Sequence, residues 1–481
     1  MGKARIKKTK IVATLGPATE DTSVLREMIS AGMDVARVNF SHGSHEEHRT
    51  RIRAVREAAE KEGRIVAVLG DLGGPKIRIG EFANGRAELV TGKRFRLTTR
   101  DVPGDETEVS VNYPRLPVEV KVDETILLAD GAVELRVVDR NSTDVICEVV
   151  SGGVITSRKG VNLPSSRLKT PAVTEKDKED IAFSVKEELD YLAISFVRTV
   201  RDVKEAKAVL ETHATQIPLI AKIEKAEALS DLENILTASD GVMIARGDLG
   251  VEIPFEKIPI VQKEVMKRAR GAGKPVITAT QMLKSMVESP RPTRAETTDV
   301  ANAILDGTDA VMLSEETAVG RYPVEAVKTM ALIAVETEAS MDEDWEMRPE
   351  LSEGRRDLQN AIARAVMDAA THPEASVIVT PSARGTTPMR VSRLRPRVPI
   401  LMLTENRRIA RRFALIWGVI PICVKMPGEL SEVFRLAGEE AKMRGLLAPG
   451  ELAVVTAGYP IFGTPTNLIY IYKRPNSPEK S

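Results

Sequence analysis

The sequence is poor in the residues that build disulfide frameworks, soft-metal sites and aromatic binding surfaces. Its 481 residues include two cysteines, five histidines and 4% aromatic residues. Cys147 and Cys423 lie far apart in the chain, which argues against a disulfide framework and against a Cys-x-x-Cys metal or redox site. Such low cysteine usage fits a reducing compartment, and no Cys or His cluster offers a soft-metal site.

The chain also lacks net charge and long apolar runs. Its 69 Lys and Arg residues balance 69 Asp and Glu residues, so no overall field attracts nucleic acid or an anionic membrane. No stretch of about 18 consecutive apolar residues occurs, and the basic segment 1–10 is not followed by the apolar core of a signal peptide. We therefore expect a cytoplasmic protein that binds small molecules, with no nucleic-acid or membrane partner.

Length and local pattern predict about three domains. In residues 1–72 and 172–340, β-branched runs alternate with helical periodicity, which predicts eight βα units and a (β/α)8 TIM barrel. Residues 73–171 contain short alternating runs broken by Gly, Asn and Asp, which predict an inserted small β barrel or sandwich placed as a lid. The acidic stretch 341–354 is typical of a linker. Residues 355–481 alternate again and predict a C-terminal open α/β domain.

The predicted barrel strands are nearly continuous apolar runs, as expected for strands covered on both faces. Helical periodicity follows nearly all of them, for instance at His48–Glu62. In the C-terminal domain, the basic pairs of the predicted helix Arg407–Ile416 are expected to form a solvated face. The barrel strands are predicted at Ile11–Leu15, Val35–Asn39, Ile65–Leu69, Tyr191–Ile194, Pro218–Ile223, Gly241–Ala245, Pro275–Ala279 and Ala310–Leu313.

Polar residues collect at the C-terminal ends of these strands, where the active sites of such barrels lie. A single strand-end acid or lysine is more often part of a surface ion pair than a catalyst. Six or seven strands that all end in polar residues are hard to explain by packing. The segments are Arg37-Val-Asn39-Phe-Ser41-His42-Gly43, Gly70-Asp71, Ser195, Lys222-Ile-Glu224, Ala245-Arg246-Gly247-Asp248, Thr278-Ala-Thr280-Gln281 and Ser314-Glu315-Glu316-Thr317.

Five of these residues supply the charged and N–H groups that phosphoryl transfer requires. Glu224 and Asp248 follow neighbouring strands and are hard oxygen donors suited to Mg2+ or Mn2+. Lys222 alternates with Glu224 along its strand, so both point to one side, and its ammonium can neutralise charge on a phosphoryl group. Arg37 offers a fixed fork for phosphate oxygens. Gly247 begins a short helical turn whose N–H groups suit an anion such as a carboxylate. The set predicts phosphoryl transfer involving a small phosphorylated acid.

Two features support two interpretations each. Arg246 is either part of the site or a structural tether that holds the turn. The segment Thr380–Thr387 joins a predicted strand to a predicted helix. Its N–H groups suit a phosphate, yet Gly and Thr also serve as turn and N-cap residues there. The residues of this candidate effector phosphate loop are Thr380, Ser382, Arg384, Gly385, Thr386 and Thr387.

The order of motifs resembles the pyruvate kinase family over nearly the whole chain, including the barrel, the inserted lid and the C-terminal domain. Agreement over six separate motifs makes this resemblance specific. The motifs are Ile11-Val-Ala-Thr-Leu-Gly-Pro-Ala18, Arg37-Val-Asn-Phe-Ser-His-Gly43, Ala221-Lys-Ile-Glu224, Ala245-Arg-Gly-Asp-Leu-Gly-Val-Glu252, Ala279-Thr-Gln-Met-Leu283 and Pro292-Thr-Arg-Ala-Glu296.

The resemblance implies Mg2+- or Mn2+-dependent transfer of a phosphoryl group from phosphoenolpyruvate to ADP, giving pyruvate and ATP in the last step of glycolysis. It further implies a homotetramer. The effector loop is atypical for the family, with Ala383-Arg384 before Gly385 and Pro388 after Thr387, so the family's sugar-phosphate control does not transfer directly and a phosphorylated allosteric effector stays a candidate partner. The proton donor to enolpyruvate stays open, with Thr280 and a water chain as the candidate. The implied roles are catalysis for Lys222, Arg37 and Thr280, substrate binding for these three with Gly247 and Asp248, metal binding for Glu224 and Asp248, and nucleotide binding for Asn39, Ser41, His42, Arg78 and Lys159.

Lys76 departs from the usual family pattern. Many members read Asp-Thr-Lys-Gly-Pro-Glu-Ile-Arg-Thr where this chain reads Asp71-Leu-Gly-Gly-Pro-Lys-Ile-Arg-Ile79. The usual site holds K+ near the positions of Asn39, Ser41 and Asp71, supported by the Glu that Lys76 replaces. A unit charge about 4 Å from an anion is worth roughly 4 kcal/mol at an effective dielectric near 20. Lys76 is therefore expected to replace K+, as in the potassium-independent, lysine-bearing branch of the family.

Two further functions are compatible with parts of the pattern. One is a metal-dependent lyase or aldolase that acts through a pyruvate enolate on a related barrel, against which the lid and the third domain argue. The other is a non-catalytic regulatory homologue. Intact Lys222, Glu224, Asp248 and Thr280 argue against that second alternative.

Overall fold

The computed structural model describes residues 6–164, 166, 168–341, 357–459 and 464–476. Apart from Met341, the predicted linker lies outside these residues. Strands are numbered in chain order. They are β1 (Lys10–Thr14), β2 (Val35–Asn39), β3 (Ala67–Asp71), β4 (Arg86–Leu89), β5 (Arg94–Thr98), β6 (Glu108–Ser110), β7 (Thr125–Leu128), β8 (Val133–Arg140), β9 (Asp144–Ser151), β10 (Gly153–Thr156), β11 (Val161–Asn162), β12 (Tyr191–Ile194), β13 (Leu219–Ile223), β14 (Gly241–Ala245), β15 (Val276–Ala279), β16 (Ala310–Leu313), β17 (Ala375–Pro381), β18 (Ile400–Thr404), β19 (Val419–Cys423), β20 (Leu452–Ala457) and β21 (Leu468–Lys473).

Helices are numbered in the same way. No helix within the described residues is long and apolar enough to cross a membrane. The helices are α1 (Thr22–Ala31), α2 (His45–Lys61), α3 (Leu116–Glu119), α4 (Glu175–Lys186), α5 (Val200–Thr212), α6 (Ala226–Ser230), α7 (Leu232–Ala238), α8 (Arg246–Glu252), α9 (Ile258–Ala272), α10 (Arg294–Leu305), α11 (Glu315–Ala318), α12 (Pro323–Ala339), α13 (Leu358–Ala369), α14 (Thr386–Arg393), α15 (Arg407–Phe413) and α16 (Leu430–Met443).

Eight parallel strands close into a barrel, as the sequence predicts. Around the barrel the order is β1, β2, β3, β12, β13, β14, β15 and β16, and β16 pairs with β1. Helices cover the outside, so nearly every strand residue is buried on either face, which explains the continuous apolar runs. Predicted and observed strand ends agree within two residues, with the largest difference at β3.

A repeated contact fixes the register at the N-terminal end of the barrel. Four aspartates each precede one strand and accept a 2.9 Å hydrogen bond from a main-chain N–H of the neighbouring strand. Each contact satisfies an amide at the start of the ladder, where a buried unpaired donor would be costly. The pairs are Asp34 with Ile11, Asp190 with Val68, Asp240 with Leu219, and Asp309 with Val276.

The insertion after β3 folds as two antiparallel-rich sheets around one apolar core. A six-stranded sheet has the order β11-β7-β8-β9-β5-β6, and β10 pairs with β4 in a second sheet. Both sheets contribute buried side chains to the same cluster, including Phe95, Val137 and Leu89. The hairpin predicted at 135–150 is confirmed as β8 and β9.

Both connections of the insertion to the barrel are held by side chains of the barrel domain, one in helix α4 and one in the loop after β12. On the way out, the Gly74 N–H donates to Asp177 Oδ1 at 3.1 Å. On the way back, Arg198 donates to the carbonyl oxygens of Leu168 and Thr170, each at 2.8 Å. These tethers place the insertion at the C-terminal end of the barrel strands, next to the polar strand ends.

The C-terminal domain is an open α/β sheet, as predicted. Its order is β19-β18-β17-β20-β21, and all pairs are parallel except the antiparallel pair of β20 with the edge strand β21. Helices α13 and α14 pack on one apolar cluster of the domain and α16 on another, so the sheet is covered on both faces.

The prediction that the basic pairs of α15 form a solvated face is wrong for three of the four arginines. Arg411 Nε donates to Asp190 Oδ1 at 2.8 Å, Arg412 donates to the Gln216 carbonyl at 2.7 Å, and Arg408 reaches Thr215. The reason is that the end of α15 packs against the barrel, where Leu415 joins the apolar cluster of the barrel interior. A charge pattern in the sequence identifies a polar helix face, but it does not show whether that face meets solvent or another part of the protein.

A second buried ion pair joins the same two domains. Arg395 lies 2.9 Å from Asp309 and donates a further 2.8 Å hydrogen bond to the Gly307 carbonyl. Both side chains are less than one-tenth exposed. Each charged group of the pair is therefore bound by protein groups instead of water. Loss of either side chain would leave the other as a buried charge without compensation.

We predict that Arg395→Met destabilises the protein by about 3 kcal/mol or more, because Asp309 would stay buried without its cation. The measurement is the thermal unfolding midpoint, with Lys61→Met as the matched control. Lys61 forms an exposed pair with Glu57 on α2, for which a loss below about 1 kcal/mol is expected. Equal midpoints for the two variants would contradict the prediction.

Candidate active site

A buried cluster of charges lies at the C-terminal ends of β13 and β3. Lys222 Nζ is 2.8 Å from Glu224 Oε1, 3.3 Å from Asp71 Oδ1 and 2.8 Å from the Ser195 hydroxyl. Lys222 and Glu224 are two residues apart at the end of one strand, so their side chains leave it on the same side. Closure of the barrel then brings Asp71 from β3 to the same ammonium. The structure thus assembles charges that the sequence placed on separate strands.

Arg37 joins this cluster through Asp71. Its Nε and a terminal nitrogen lie 2.8 and 2.7 Å from Asp71 Oδ2, and its other terminal nitrogen donates to the Thr14 hydroxyl at 2.9 Å. In the β2–β3 ladder Arg37 lies opposite Leu69, two residues before Asp71, so both side chains leave the sheet on the same face. The guanidinium is therefore fixed in the mouth of the barrel before any ligand arrives.

The pKa values of these groups follow from burial and mutual attraction. Burial opposes the charge on Lys222, but the carboxylates of Asp71 and Glu224 outweigh it and raise the pKa of that ammonium. Burial likewise opposes ionisation of Asp71, but Lys222 and Arg37 hold its pKa below the usual range. Burial raises the pKa of Glu224, Lys222 opposes the rise, and the nearby Asp248 carboxylate adds to it. Lys222 and Asp71 are thus held in their charged forms.

Two oxygens of the cluster have the properties of cation ligands. Glu224 Oε1 and Asp71 Oδ1 are buried and lack a hydrogen bond of acceptable geometry, although Lys222 is nearby. The other Glu224 oxygen is fixed by the Phe196 N–H at 2.7 Å. Within the described residues, no group of three or more His, Cys, Asp or Glu forms a complete protein metal cage. Together with the nearby Asp248 carboxylate, Glu224 offers hard oxygen ligands that fit Mg2+ or Mn2+, which take their remaining ligands from water or a substrate phosphate.

Gly247, Asp248 and Thr280 lie together on the adjoining strand ends. The Gly247 N–H donates to the Thr280 hydroxyl at 2.7 Å, and that hydroxyl donates to the Ala279 carbonyl at 2.6 Å. Asp248 is the third residue of α8 and is about one-quarter exposed. Its carboxylate adds to the rise in the pKa of Glu224 that burial causes. The residues expected to hold metal and substrate therefore face one opening.

The candidate nucleotide contacts come from two sides of the same opening. On the barrel side, Asn39 accepts the Ser41 N–H at 3.1 Å, and His42 follows in the loop. On the lid side, Arg78 forms a bridge with Gly160, next to Lys159. Burial and the positive charges of Arg78, Lys76 and Arg37 lower the pKa of His42. The charge of Arg78, on the lid side, thus acts on His42 in the barrel loop.

Lys76 enters the same space from the first connection to the lid. Its Nζ is 4.0 Å from Asp248 Oδ1, and both side chains are partly exposed. The Lys76 side chain thus lies between Asp248 of the barrel and the Gly160 segment of the lid. Its charge also contributes to the lowered pKa of His42.

The candidate effector loop lies in the C-terminal domain, between β17 and α14. Thr380 is buried, Gly385 has φ of 81° and donates its N–H to the Ser382 hydroxyl at 3.0 Å, and the Thr387 hydroxyl is 2.6 Å from that of Thr466. Arg384 and Thr386 are exposed. Gly385 and Ser382 thus act as turn residues, while the exposed pair faces solvent.

Sequence reasoning missed two contributors to the site, Thr14 and Phe196, and named Ser195 only as a polar strand end with no assigned role. Thr14 holds Arg37, the Ser195 hydroxyl holds Lys222 and donates to the Leu72 carbonyl, and the Phe196 N–H holds Glu224. The available signal was the polar last residue of β1 in an otherwise apolar run. Which partner such a residue meets depends on barrel closure, which the local pattern does not specify.

Comparison with known proteins agrees with this geometry. The family model described as the pyruvate kinase barrel domain matches residues 6–327, and that for the pyruvate kinase alpha/beta domain matches residues 360–472. Proteins named pyruvate kinase from Geobacillus stearothermophilus, Sporosarcina psychrophila and Staphylococcus aureus (strain MRSA252) are 46%, 42% and 44% identical to the chain. Each alignment covers 97% of this chain and 80% of the relative. With both domain models matched in chain order, the chain belongs to the pyruvate kinase family and is a phosphotransferase.

Proposed function

We propose that the barrel mouth transfers the phosphoryl group of phosphoenolpyruvate to ADP through Lys222, Arg37 and Thr280. The observation that carries the proposal is the Lys222 ammonium, buried and held between Glu224 and Asp71 at 2.8 and 3.3 Å. Preorganised cations aimed at developing charge are the main requirement of phosphoryl transfer. In the reaction, the bond from phosphorus to the enol oxygen breaks and a bond to the terminal ADP oxygen forms.

Each of these residues binds a different part of phosphoenolpyruvate. Arg37 keeps two N–H groups beyond those bound to Asp71 and Thr14, and these bind phosphate oxygens. Lys222 stabilises the phosphoryl group during transfer. In this structure the Gly247 N–H donates to the Thr280 hydroxyl, and that hydroxyl donates to the Ala279 carbonyl. Both donors would turn to the substrate carboxylate when it binds, with Asp248 beside them. The enolate left behind takes a proton to become pyruvate, for which Thr280 and water are the candidate donors.

Glu224 and Asp248 would hold the divalent ion, which when bound neutralises charge on the phosphoryl oxygens. Asn39, Ser41, His42, Arg78 and Lys159 would bind the nucleotide between barrel and lid. The tethers at Gly74 and Arg198 keep the lid over the mouth. Closing that gap excludes water, so that ADP rather than water receives the phosphoryl group.

Further proposals concern the surroundings of the site. The resemblance supports a cytoplasmic homotetramer, and the exposed apolar side chains of Tyr470 and Ile471 on the edge strand β21 offer a surface for subunit contact. For the loop Thr380–Thr387 we keep a phosphorylated effector as the proposed ligand, because Arg384 is exposed beside the N-terminal turn of α14.

The metal assignment is tested by Glu224→Gln. The substitution removes a charge but keeps the shape, so Mn2+ affinity should fall at least about tenfold. Binding is measured on the metal-free protein by titration with electron paramagnetic resonance. Glu233→Gln on the exposed face of α7 is the control and should bind Mn2+ as the parent does. Unchanged Mn2+ affinity in Glu224→Gln would remove Glu224 from the metal site.

The catalytic assignment is tested by Lys222→Met. ADP-dependent formation of pyruvate from phosphoenolpyruvate with Mg2+ should fall by roughly 10²–10³-fold, because the charge aimed at the phosphoryl group is gone. The assay couples pyruvate to NADH oxidation, and circular dichroism checks folding. Lys61→Met serves as the control. Turnover that persists in a folded Lys222→Met protein would show the assignment to be wrong.

The proposed independence of K+ is tested by reversing the charge of Lys76. The parent protein should be active in tetramethylammonium buffer without K+ or Na+. Lys76→Glu should lose roughly tenfold or more under these conditions, because a negative charge replaces the fixed cation, and added KCl should restore activity. Lys93→Glu, on the exposed surface of the lid, is the control. A K+ requirement in the parent protein would contradict the idea.

A further inference from the structure

The turn that carries Thr280 has an unusual backbone. Thr280 and Gln281 have φ of 72° and 57°. For a β-branched residue such as Thr, positive φ is a genuine outlier. The surrounding structure must therefore hold the turn in this shape.

Arg246 supplies that hold from the neighbouring strand end. Its guanidinium donates to the Thr280 carbonyl at 3.0 Å and to the Ala279 carbonyl at 3.4 Å. A 2.6 Å pair with Asp299 on α10 fixes the other side of the guanidinium. Only about one-eighth of the Arg246 side chain is exposed. The planar fork thus spans two successive carbonyls, which an ammonium cannot do in the same geometry.

The held turn determines where the Thr280 hydroxyl lies. That hydroxyl is 2.7 Å from the Gly247 nitrogen, and Gly247 follows Arg246 directly in the chain. One strand end therefore provides both the anchor of the turn and the amide that the hydroxyl meets. Arg246 contrasts with Arg37, since its charge is paired with Asp299 and its donors are directed at main-chain carbonyls rather than at Asp71 of the charge cluster.

We propose that Arg246 is a positioning residue for phosphoenolpyruvate. It holds the turn Ala279–Gln281 in the shape that places the Thr280 hydroxyl beside the Gly247 N–H. Of the two interpretations of Arg246 given in the sequence analysis, the inference favours the tether that holds the turn. The inference rests on the proposed role of Thr280 in binding the substrate carboxylate. It does not make Arg246 a contact of the substrate.

The test is a double-mutant cycle on Arg246→Met and Thr280→Ala. Arg246→Met should lower kcat/KM for phosphoenolpyruvate on the order of tenfold to hundredfold, because a displaced Thr280 hydroxyl no longer meets the substrate carboxylate. The KM for ADP should stay within about twofold, since the nucleotide contacts lie on other loops. The double variant should be no worse than Thr280→Ala alone, because both changes remove the same interaction. Arg246→Lys should resemble Arg246→Met.

Two controls separate this role from a general loss of stability. Arg268→Met removes an arginine that pairs with Glu264 on the outer helix α9 and should leave both KM values unchanged. Thermal midpoints are measured for all variants. Effects of Arg246→Met and Thr280→Ala that multiply, or a rise in both KM values, would overturn the positioning role.

The outcomes also distinguish the proposed function from the positioning role. If Thr280→Ala leaves kcat/KM for phosphoenolpyruvate unchanged, the proposed role of Thr280 fails, and the positioning role fails with it. If Thr280→Ala is impaired but Arg246→Met is not, only the positioning role fails.

Discussion

The site depends on the attraction within one buried group of four charges, Arg37, Asp71, Lys222 and Glu224. Burying any one of them alone would cost several kcal/mol, and each is nine-tenths or nearly nine-tenths removed from water. They compensate one another only at hydrogen-bond distances, and they come from three strands, β2, β3 and β13. Barrel closure in the correct register is therefore a condition for the charges to be tolerated, and the charges in turn penalise any slipped register.

Buried carboxylates occur at both ends of the barrel, and their hydrogen bonding separates structure from function. At the N-terminal end, Asp190 and Asp309 have a main-chain amide on one oxygen and an arginine of the C-terminal domain on the other. At the C-terminal end, Asp71 and Glu224 each keep one buried oxygen without a hydrogen bond. Carboxylates with both oxygens hydrogen-bonded hold the domains together, whereas Asp71 and Glu224 keep acceptor capacity beside Lys222 at the mouth of the barrel.

The sequence predicted the parts of the fold that local pattern determines. Apolar runs between helices located the eight barrel strands, and polar residues after them located Lys222, Glu224 and Asp248 at one end. The local pattern could not predict contacts that form only when the barrel closes. Ser195 and Thr14 look like ordinary polar strand ends until the closed barrel brings Lys222 and Arg37 to them. The docking of α15 escaped prediction for the same reason, since a basic helix face does not identify the surface it meets.

The contacts of Arg37 explain why a resting site can be ready for phosphate. A guanidinium has five N–H groups, and two of its nitrogens are committed to Asp71 and one to Thr14. The orientation is thereby fixed without using the whole fork, and the remaining donors keep their direction when a ligand binds. Ordering a free arginine would cost side-chain entropy at each binding event. Here folding has already ordered the side chain, so under the proposed function the binding energy of the phosphate remains available for the reaction.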